Sequence, residues 1–263
     1  MDGRVHELDG DILDDPAETG RAFALADIEL LVPLDPDRVG KVVGVASNYN
    51  DPAAPRGPAP HPRWFAKQAS ALAVHDATVE LPRHAGNLNH EGELVVIVGR
   101  GGRRIPLARA ADHILGVTVG NDWSENTWYV EVNGEDDPSR VVSKAVDGWA
   151  VLHPVVHRGL DFADLGIEIR VNGDVVAFGR TSQMVNDPLY LIHYLSYYVT
   201  LAPGDVIFTG TVAPPVQPGH HRDVFDGDVV EVEIENIGVL RNRVVLASTA
   251  GATHLPVRHT RAP

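Results

Sequence analysis

The fold of this chain is decided by the stretch NHEGELVVIVG at residues 89–99. Its apolar half is rich in β-branched residues and ends at a glycine, which favours a buried strand. Side chains two apart on a strand point to the same face, so Glu91 and Glu93 should lie side by side where the strand begins. Such a pair forms either a solvated strand end or, with a bound cation, an oxygen-ligand metal site. The pair alone favours the first interpretation.

The composition predicts one large domain with a full hydrophobic core. The chain has 263 residues, of which 44% are hydrophobic, and its net charge of −14 argues against binding to nucleic acid or to an anionic membrane. Cysteine is absent, which excludes disulfides, a thiolate nucleophile and a cysteine zinc site. The first residues lack the apolar core of a signal peptide, and no apolar stretch is long enough to cross a bilayer. We therefore expect a cytoplasmic protein.

Residue patterns along the chain indicate mainly β structure with few helices, an α+β class. Asn172-Gly173 favours a two-residue hairpin turn between two strand-like runs. One helix is clearly indicated: Asn186 or Asp187 can cap it, Pro188 suits its first turn, and an apolar stripe follows at Leu191, Ile192, Leu195 and Val199. Further strands are expected at 41–46, 64–67, 114–119, 206–208, 229–234 and 239–246.

The two ends of the chain differ from its middle. Residues 1–39 are polar and acidic, with Leu30–Val32 as the one strand-like patch, and we interpret them as a small appended element. Residues 40–250 form the expected main domain, and residues 251–263 a C-terminal tail.

Seven short motifs, in order over roughly residues 40 to 246, resemble the fumarylacetoacetate hydrolase superfamily. They are Val43-Gly44 to Asn48-Tyr49, Phe65-Ala66-Lys67, His90-Glu91-Gly92-Glu93-Leu94, Gly120-Asn121-Asp122, Lys144 with Asp147-Gly148, Leu201 to Thr211, and Gly227-Asp228 to Gly238 with Asn242. The resemblance implies a mixed β-sandwich or β-roll, usually assembled as a homodimer. It also implies that Glu91, Glu93 and Asp122 bind one Mg²⁺ or Mn²⁺, with Ca²⁺ as a further option, and this reverses the weighing of the carboxylate pair.

The resemblance further implies chemistry on 2-oxo or 1,3-dicarbonyl acids, which chelate a divalent cation and react through an enolate. Lys144 matches the family's active-site lysine, with a surface lysine as the alternative. Substrate contacts are expected at Tyr49, Lys67, Asn126, Tyr129, Gly210 and Thr211.

The chain departs from the family's hydrolytic members at the pair of residues that activates water. The motif Asn-Tyr-x-x-His-x-x-Glu of those members has Pro52 and Pro55 here at the His and Glu positions, and proline neither transfers a proton nor permits the lid helix. Asn126 and Tyr129 stand where the family has arginine and glutamine. His153 and Asp51 are candidates for a replacement acid or base.

Three functions stay open. The leading hypothesis is a metal-dependent isomerase, tautomerase or decarboxylase, because these reactions need no activated water. The alternatives are a C–C hydrolase of the acylpyruvate type, and a catalytically silent member that binds metal and ligand. The aromatic residues Trp123, Trp128, Tyr129 and Trp149 would suit a larger substrate or, equally, the core or a dimer interface.

Overall fold

The computed structural model describes residues 3–50, 61–81, 88–125, 141–212 and 224–247. These residues form sixteen strands and two α-helices, together with short 3-10 helices. In chain order the elements are β1 (Arg4–Leu8), β2 (Glu18–Ala24), β3 (Val42–Ala46), β4 (Arg63–Lys67), β5 (Leu72–Val74), β6 (Thr78–Leu81), β7 (Leu88–Asn89), β8 (Gly92–Val98), β9 (Ile114–Asp122), β10 (Ser124–Glu125), α1 (Val141–Lys144), β11 (Ala150–Leu152), β12 (Gly166–Val171), β13 (Asp174–Arg180), α2 (Pro188–Tyr198), β14 (Val206–Thr211), β15 (Val229–Ile234) and β16 (Gly238–Leu246). The predicted class, mainly β with few helices, is confirmed.

Two mixed sheets contain most of these strands. The larger has the order β4-β3-β14-β8-β9-β11-β5, and the smaller has the order β13-β12-β15-β16-β6. The pairs β3–β14, β5–β11 and β6–β16 are parallel, and the other pairs within these two sheets are antiparallel.

The larger sheet curls until its two edges come close together. Its edge strands β4 and β5 are joined by residues 68–71 alone. A connection of that length spans at most about 18 Å, whereas seven flat strands would separate the edges by about 29 Å. Curling brings the strands of this sheet closer to one another. Lys67, Glu93 and Asp122, three of the predicted site residues, lie at or near the ends of its strands.

β8 is the central strand of the molecule, and all seven of its residues are buried. Leu94, Val96 and Val98 pack into one core cluster, and Val95 and Ile97 pack into a second cluster on the opposite face. The alternation of a strand explains why the uninterrupted apolar run is needed, because both faces are covered. Gly92 allows the smaller sheet to approach: a Cβ there would lie 2.6 Å from Val232 and 2.9 Å from Ile169.

Two local predictions agree with the structure. The Asp187 carboxylate caps α2 by accepting a hydrogen bond from the Tyr190 N–H at 2.8 Å, and Pro188 begins the helix. Asn172 and Gly173 have φ values of 52° and 87°, as the predicted hairpin turn between β12 and β13 requires. Neither helix of the described residues is long and apolar enough to span a membrane.

The predicted strand at Leu30–Val32 is wrong. The N-terminal strands are β1 and β2, which form a two-stranded sheet of their own, whereas Leu31 is 66% exposed and outside any strand. Polar pairs across the two strands stabilise this hairpin: Glu7 on β1 accepts hydrogen bonds from Thr19 and Arg21 on β2. A search for apolar runs misses strands of this kind.

Candidate metal centre

Three carboxylates come together at the end of the two central strands. Oxygen atoms of Glu91, Glu93 and Asp122 all lie within 4.8 Å of one another. Glu93 lies in β8 and Asp122 ends β9, and these strands pair so that Glu93 faces Gly120. Glu91 precedes β8, where its carbonyl accepts a hydrogen bond from the Asp122 N–H at 2.9 Å. The expectation that the three side chains converge is therefore met.

Two lysine ammonium groups hold this cluster. Lys144, the last residue of α1, places its Nζ 2.8 Å from both Glu91 Oε2 and Asp122 Oδ2. Lys67, the last residue of β4, donates a hydrogen bond to Asp122 Oδ1. The side chains of Lys67 and Asp122 are completely buried, and that of Lys144 is 2% exposed.

The neighbouring charges shift the pKa values of Asp122 and Glu93 in opposite directions. Burial favours the neutral form of Asp122, but the charges of Lys144 and Lys67 and their hydrogen bonds outweigh burial and lower its pKa. Burial, together with the charges of Asp122 and Glu91, raises the pKa of Glu93 well above its ordinary value. Burial opposes the charged form of Lys144, yet Asp122 and Glu91 raise the pKa of that ammonium group above its ordinary value.

The donor set fits a divalent cation with a preference for oxygen. Every candidate ligand atom is a carboxylate oxygen, and the raised pKa of Glu93 shows that its charged form lacks a cationic partner of its own among the described residues. Such ligands suit Mg²⁺, Mn²⁺ and Ca²⁺. Glu91, Glu93 and Asp122 are the residues that would hold the ion.

Two hydroxyl groups beside the cluster are buried without a hydrogen-bond partner among the described residues. They are Tyr49 Oη and Thr211 Oγ1. Tyr49 is 8% exposed, and its pKa is raised by burial and by the nearby Glu93 charge. Thr211 pairs with Glu93 across β14 and β8. A buried hydroxyl without a partner is costly, so both groups are suited to a bound polar molecule.

Gly210 has a role that differs from the expected one. We expected its backbone to bind the substrate carboxylate, but its N–H donates to Glu93 Oε2 at 2.6 Å. Its φ of +100° favours glycine, and a Cβ there would lie 2.7 Å from the Cβ of Asn48. Gly210 therefore holds Glu93 in place.

Lys67 also differs from its expected role in substrate binding. Besides Asp122, its Nζ donates to the carbonyl oxygens of Trp149 at 2.9 Å and Trp123 at 3.3 Å. An ammonium group has three hydrogens, and these three acceptors use all of them.

His153 lies apart from the carboxylates. Its Nδ1 accepts a hydrogen bond from the Val155 N–H at 3.3 Å, and its ring lies against that of His75 with centroids 5.9 Å apart. These contacts join His153 to Val155 and His75, and its role as an acid or base stays a prediction. Asn126, Tyr129, Trp128, Asp51, Pro52 and Pro55 lie outside the described residues.

Other residues around the cluster were missed or left open by the sequence analysis. Ser124 donates a hydrogen bond to Glu91 Oε1 at 3.2 Å, and the Phe65 ring lies 5.1 Å from Lys144 Nζ. Ser124 follows Asp122 by two residues, a spacing that could have placed it on the same side. Trp123 and Trp149 are buried in the core cluster, which favours the core interpretation of these aromatics.

Comparison with known families agrees with this fold. The family described as fumarylacetoacetate (FAA) hydrolase C-terminal matches residues 41–245, and the family described as Rv2993c-like, N-terminal, matches residues 1–33. The chain belongs to the fumarylacetoacetate hydrolase family.

Within that family the chain is similar to bacterial and human proteins. Protein Rv2993c of Mycobacterium tuberculosis is 37% identical over 235 residues, which cover 88% of this chain and 83% of the relative. The human mitochondrial oxaloacetate tautomerase FAHD2A is 37% identical over 227 residues, covering 84% of this chain and 70% of that protein. The crystal structure of 5-carboxymethyl-2-hydroxymuconate delta-isomerase from Mycobacterium smegmatis superposes with a TM-score of 0.80 at 34% identity, covering 93% and 90% of the two chains.

Proposed function

We propose that this protein is a divalent-metal-dependent isomerase or tautomerase that acts on a 2-oxo or 1,3-dicarbonyl acid through an enolate. The observation that carries the proposal is the carboxylate cluster of Glu91, Glu93 and Asp122, braced by Lys144 and bordered by two buried hydroxyls without partners. Two relatives are named as a tautomerase and an isomerase, which supports the same reaction class.

The chemistry divides between a cation and the side chains. When bound, Mg²⁺ or Mn²⁺ supplies Lewis-acid stabilisation of the negative charge that develops on a chelated oxo acid. Lys144, whose pKa is raised, is placed to stabilise that negative charge through its ammonium group. The Tyr49 phenol, whose pKa is also raised, acts as a hydrogen-bond donor to the substrate. Thr211 binds the substrate carboxylate through its hydroxyl.

Isomerisation is favoured over hydrolysis by the residues at the water-activating positions. Pro52 and Pro55 stand there in the sequence, and neither transfers a proton. The conversion of an enol to its keto form is a net transfer of one proton from oxygen to carbon. It consumes no water. Homodimeric assembly and a cytoplasmic location stay predictions.

The test is turnover of oxaloacetate, followed by its enol absorbance with Mn²⁺ and with a chelator, in the wild type and in Asp122→Asn. Loss of one group that stabilises the transition state typically costs roughly 10²- to 10³-fold in rate, and we expect a loss of that size in the variant. Asp205→Asn is the matched control, because Asp205 is also a buried aspartate paired with a lysine, Lys41, at 2.8 Å.

The products separate the alternatives. Metal-dependent enol decay without cleavage supports the proposal. Release of CO₂ would select decarboxylation, and paired acids from an acylpyruvate would select hydrolysis. Equal rates with metal and with chelator would contradict the metal requirement.

A further inference from the structure

Lys67 lies on an edge strand of the curled sheet, and its side chain reaches the end of the inner strand β9. It ends β4, and residues 68–71 lead from it to β5, the opposite edge of the same sheet. On the other side of β5 lies β11, where Ala150 pairs with both Leu72 and Asp122. The closure of the sheet therefore brings the Lys67 side chain to the end of β9.

The hydrogen bonds of the Lys67 Nζ hold this atom in one position. Two of its three acceptors are backbone carbonyls, those of Trp123 and Trp149, and the Trp123 N–H itself donates to the Trp149 carbonyl at 3.0 Å. Both carbonyls therefore belong to one hydrogen-bonded junction between β9 and β11. An ammonium group bound to this rigid junction has little freedom to move.

The third acceptor is a single oxygen of Asp122. Lys67 binds Oδ1, whereas Lys144 binds Oδ2 and also reaches Glu91. Each oxygen of the carboxylate is therefore held by a different lysine, and the plane of the group cannot rotate without breaking one of these contacts. Lys144 is shared between Asp122 and Glu91, whereas Lys67 binds Asp122 and two backbone carbonyls and no second carboxylate among the described residues.

We propose that Lys67 is a positioning residue for the metal centre: it fixes the carboxylate plane of Asp122 so that this side chain faces Glu91 and Glu93. The inference rests on the proposed function, since it requires that these carboxylates bind a cation. Partners that orient metal ligands typically contribute 10- to 100-fold to metal affinity or activity. Lys67 contributes to the affinity for the cation without contacting it or the substrate.

The experiment is a Mn²⁺ titration of the full chain, followed by the electron paramagnetic resonance of free Mn²⁺. We expect Lys67→Met to bind Mn²⁺ roughly 10- to 100-fold more weakly than the wild type. The matched control is Lys41→Met, which removes a lysine from the buried Asp205 at the opposite end of β8 and should bind as the wild type does. Unchanged affinity in Lys67→Met would overturn the inference.

A second pair of variants separates positioning from a general loosening of the fold. If Lys67 acts only through Asp122, then Asp122→Asn and Asp122→Asn with Lys67→Met bind Mn²⁺ equally weakly. A further loss in the double variant would show a structural role and overturn the inference. This comparison also serves if Lys67→Met alone does not fold, because removing both buried charges leaves neither uncompensated.

The wild-type titration distinguishes the two proposals. If the wild type binds no Mn²⁺, the proposed function fails and the role of Lys67 fails with it. If the wild type binds and Lys67→Met binds equally well, only the role of Lys67 fails.

Discussion

At the scale of single residues, Tyr49 shows how function can oppose stability. Its hydroxyl is buried without a partner among the described residues, and the aromatic ring that carries the hydroxyl packs in the core cluster. Such a group is costly in the absence of a ligand and useful in its presence.

We therefore expect Tyr49→Phe to raise the free energy of unfolding by about 1 kcal/mol, because the substitution removes an unsatisfied hydroxyl and keeps the ring. Turnover of oxaloacetate should fall, since a donor to the substrate is lost. Urea unfolding and enol decay measure the two effects. Tyr194→Phe is the matched control: the Tyr194 ring lies against that of Tyr198 on α2, with centroids 5.2 Å apart, so this variant should keep both its stability and its turnover. A less stable Tyr49→Phe with full turnover would contradict the assignment.

At the scale of elements, the contact between β14 and the end of β3 decides where Glu93 lies. Gly210 combines a φ of +100° with a close approach to Asn48 and a hydrogen bond to Glu93. Asn48 is itself held, since its amide donates to the Thr209 carbonyl at 2.7 Å and to the Asn186 carbonyl at 2.9 Å. The loop after β3 and the strand β14 are therefore fixed against each other.

Gly210→Ala should destabilise the fold and lower Mn²⁺ affinity, because the added methyl group displaces either Asn48 or the amide that holds Glu93. The matched control is Gly173→Ala, which has a φ of +87° but open space around its Cβ position. We expect about 1 kcal/mol of backbone strain in the control and a clearly larger loss in Gly210→Ala. Chemical denaturation and Mn²⁺ titration measure both. Equal losses in the two variants would mean that the contact with Asn48 is unimportant.

Local signals predicted the elements well, and the site only in part. The cap at Asp187, the turn at Asn172-Gly173 and the apolar run of β8 are each encoded within a few residues. The contacts of Lys67 and Gly210 are not encoded locally, because their partners lie 55 and 117 residues away along the chain. These contacts form only when the sheet curls. The N-terminal strands were missed because polar cross-strand pairs, and no apolar run, define them.

At the scale of the whole molecule, the two lysines should allow the fold to form without a cation. They pair with Asp122 and Glu91 at the centre of the curled sheet, and the raised pKa of Glu93 favours its neutral form there. We expect the chelated protein to stay folded, and Mn²⁺ at a hundred times its dissociation constant to raise the free energy of unfolding by about 2.7 kcal/mol. Thermal unfolding with and without Mn²⁺ measures this gain, which Asp122→Asn should not show. Collapse of the secondary structure on chelation would contradict the prediction.

Gly92 lies both in the candidate metal centre and at the contact between the two sheets. It stands between the two glutamates, and the smaller sheet packs directly on it through Val232 and Ile169. Gly92 therefore keeps the segment that carries both glutamates close against the smaller sheet. Mutational drift cannot reshape this part of the centre one position at a time, because a larger residue at position 92 would push β8 away from the smaller sheet and displace both glutamates at once. New activities on this scaffold have to come from the residues that surround the centre.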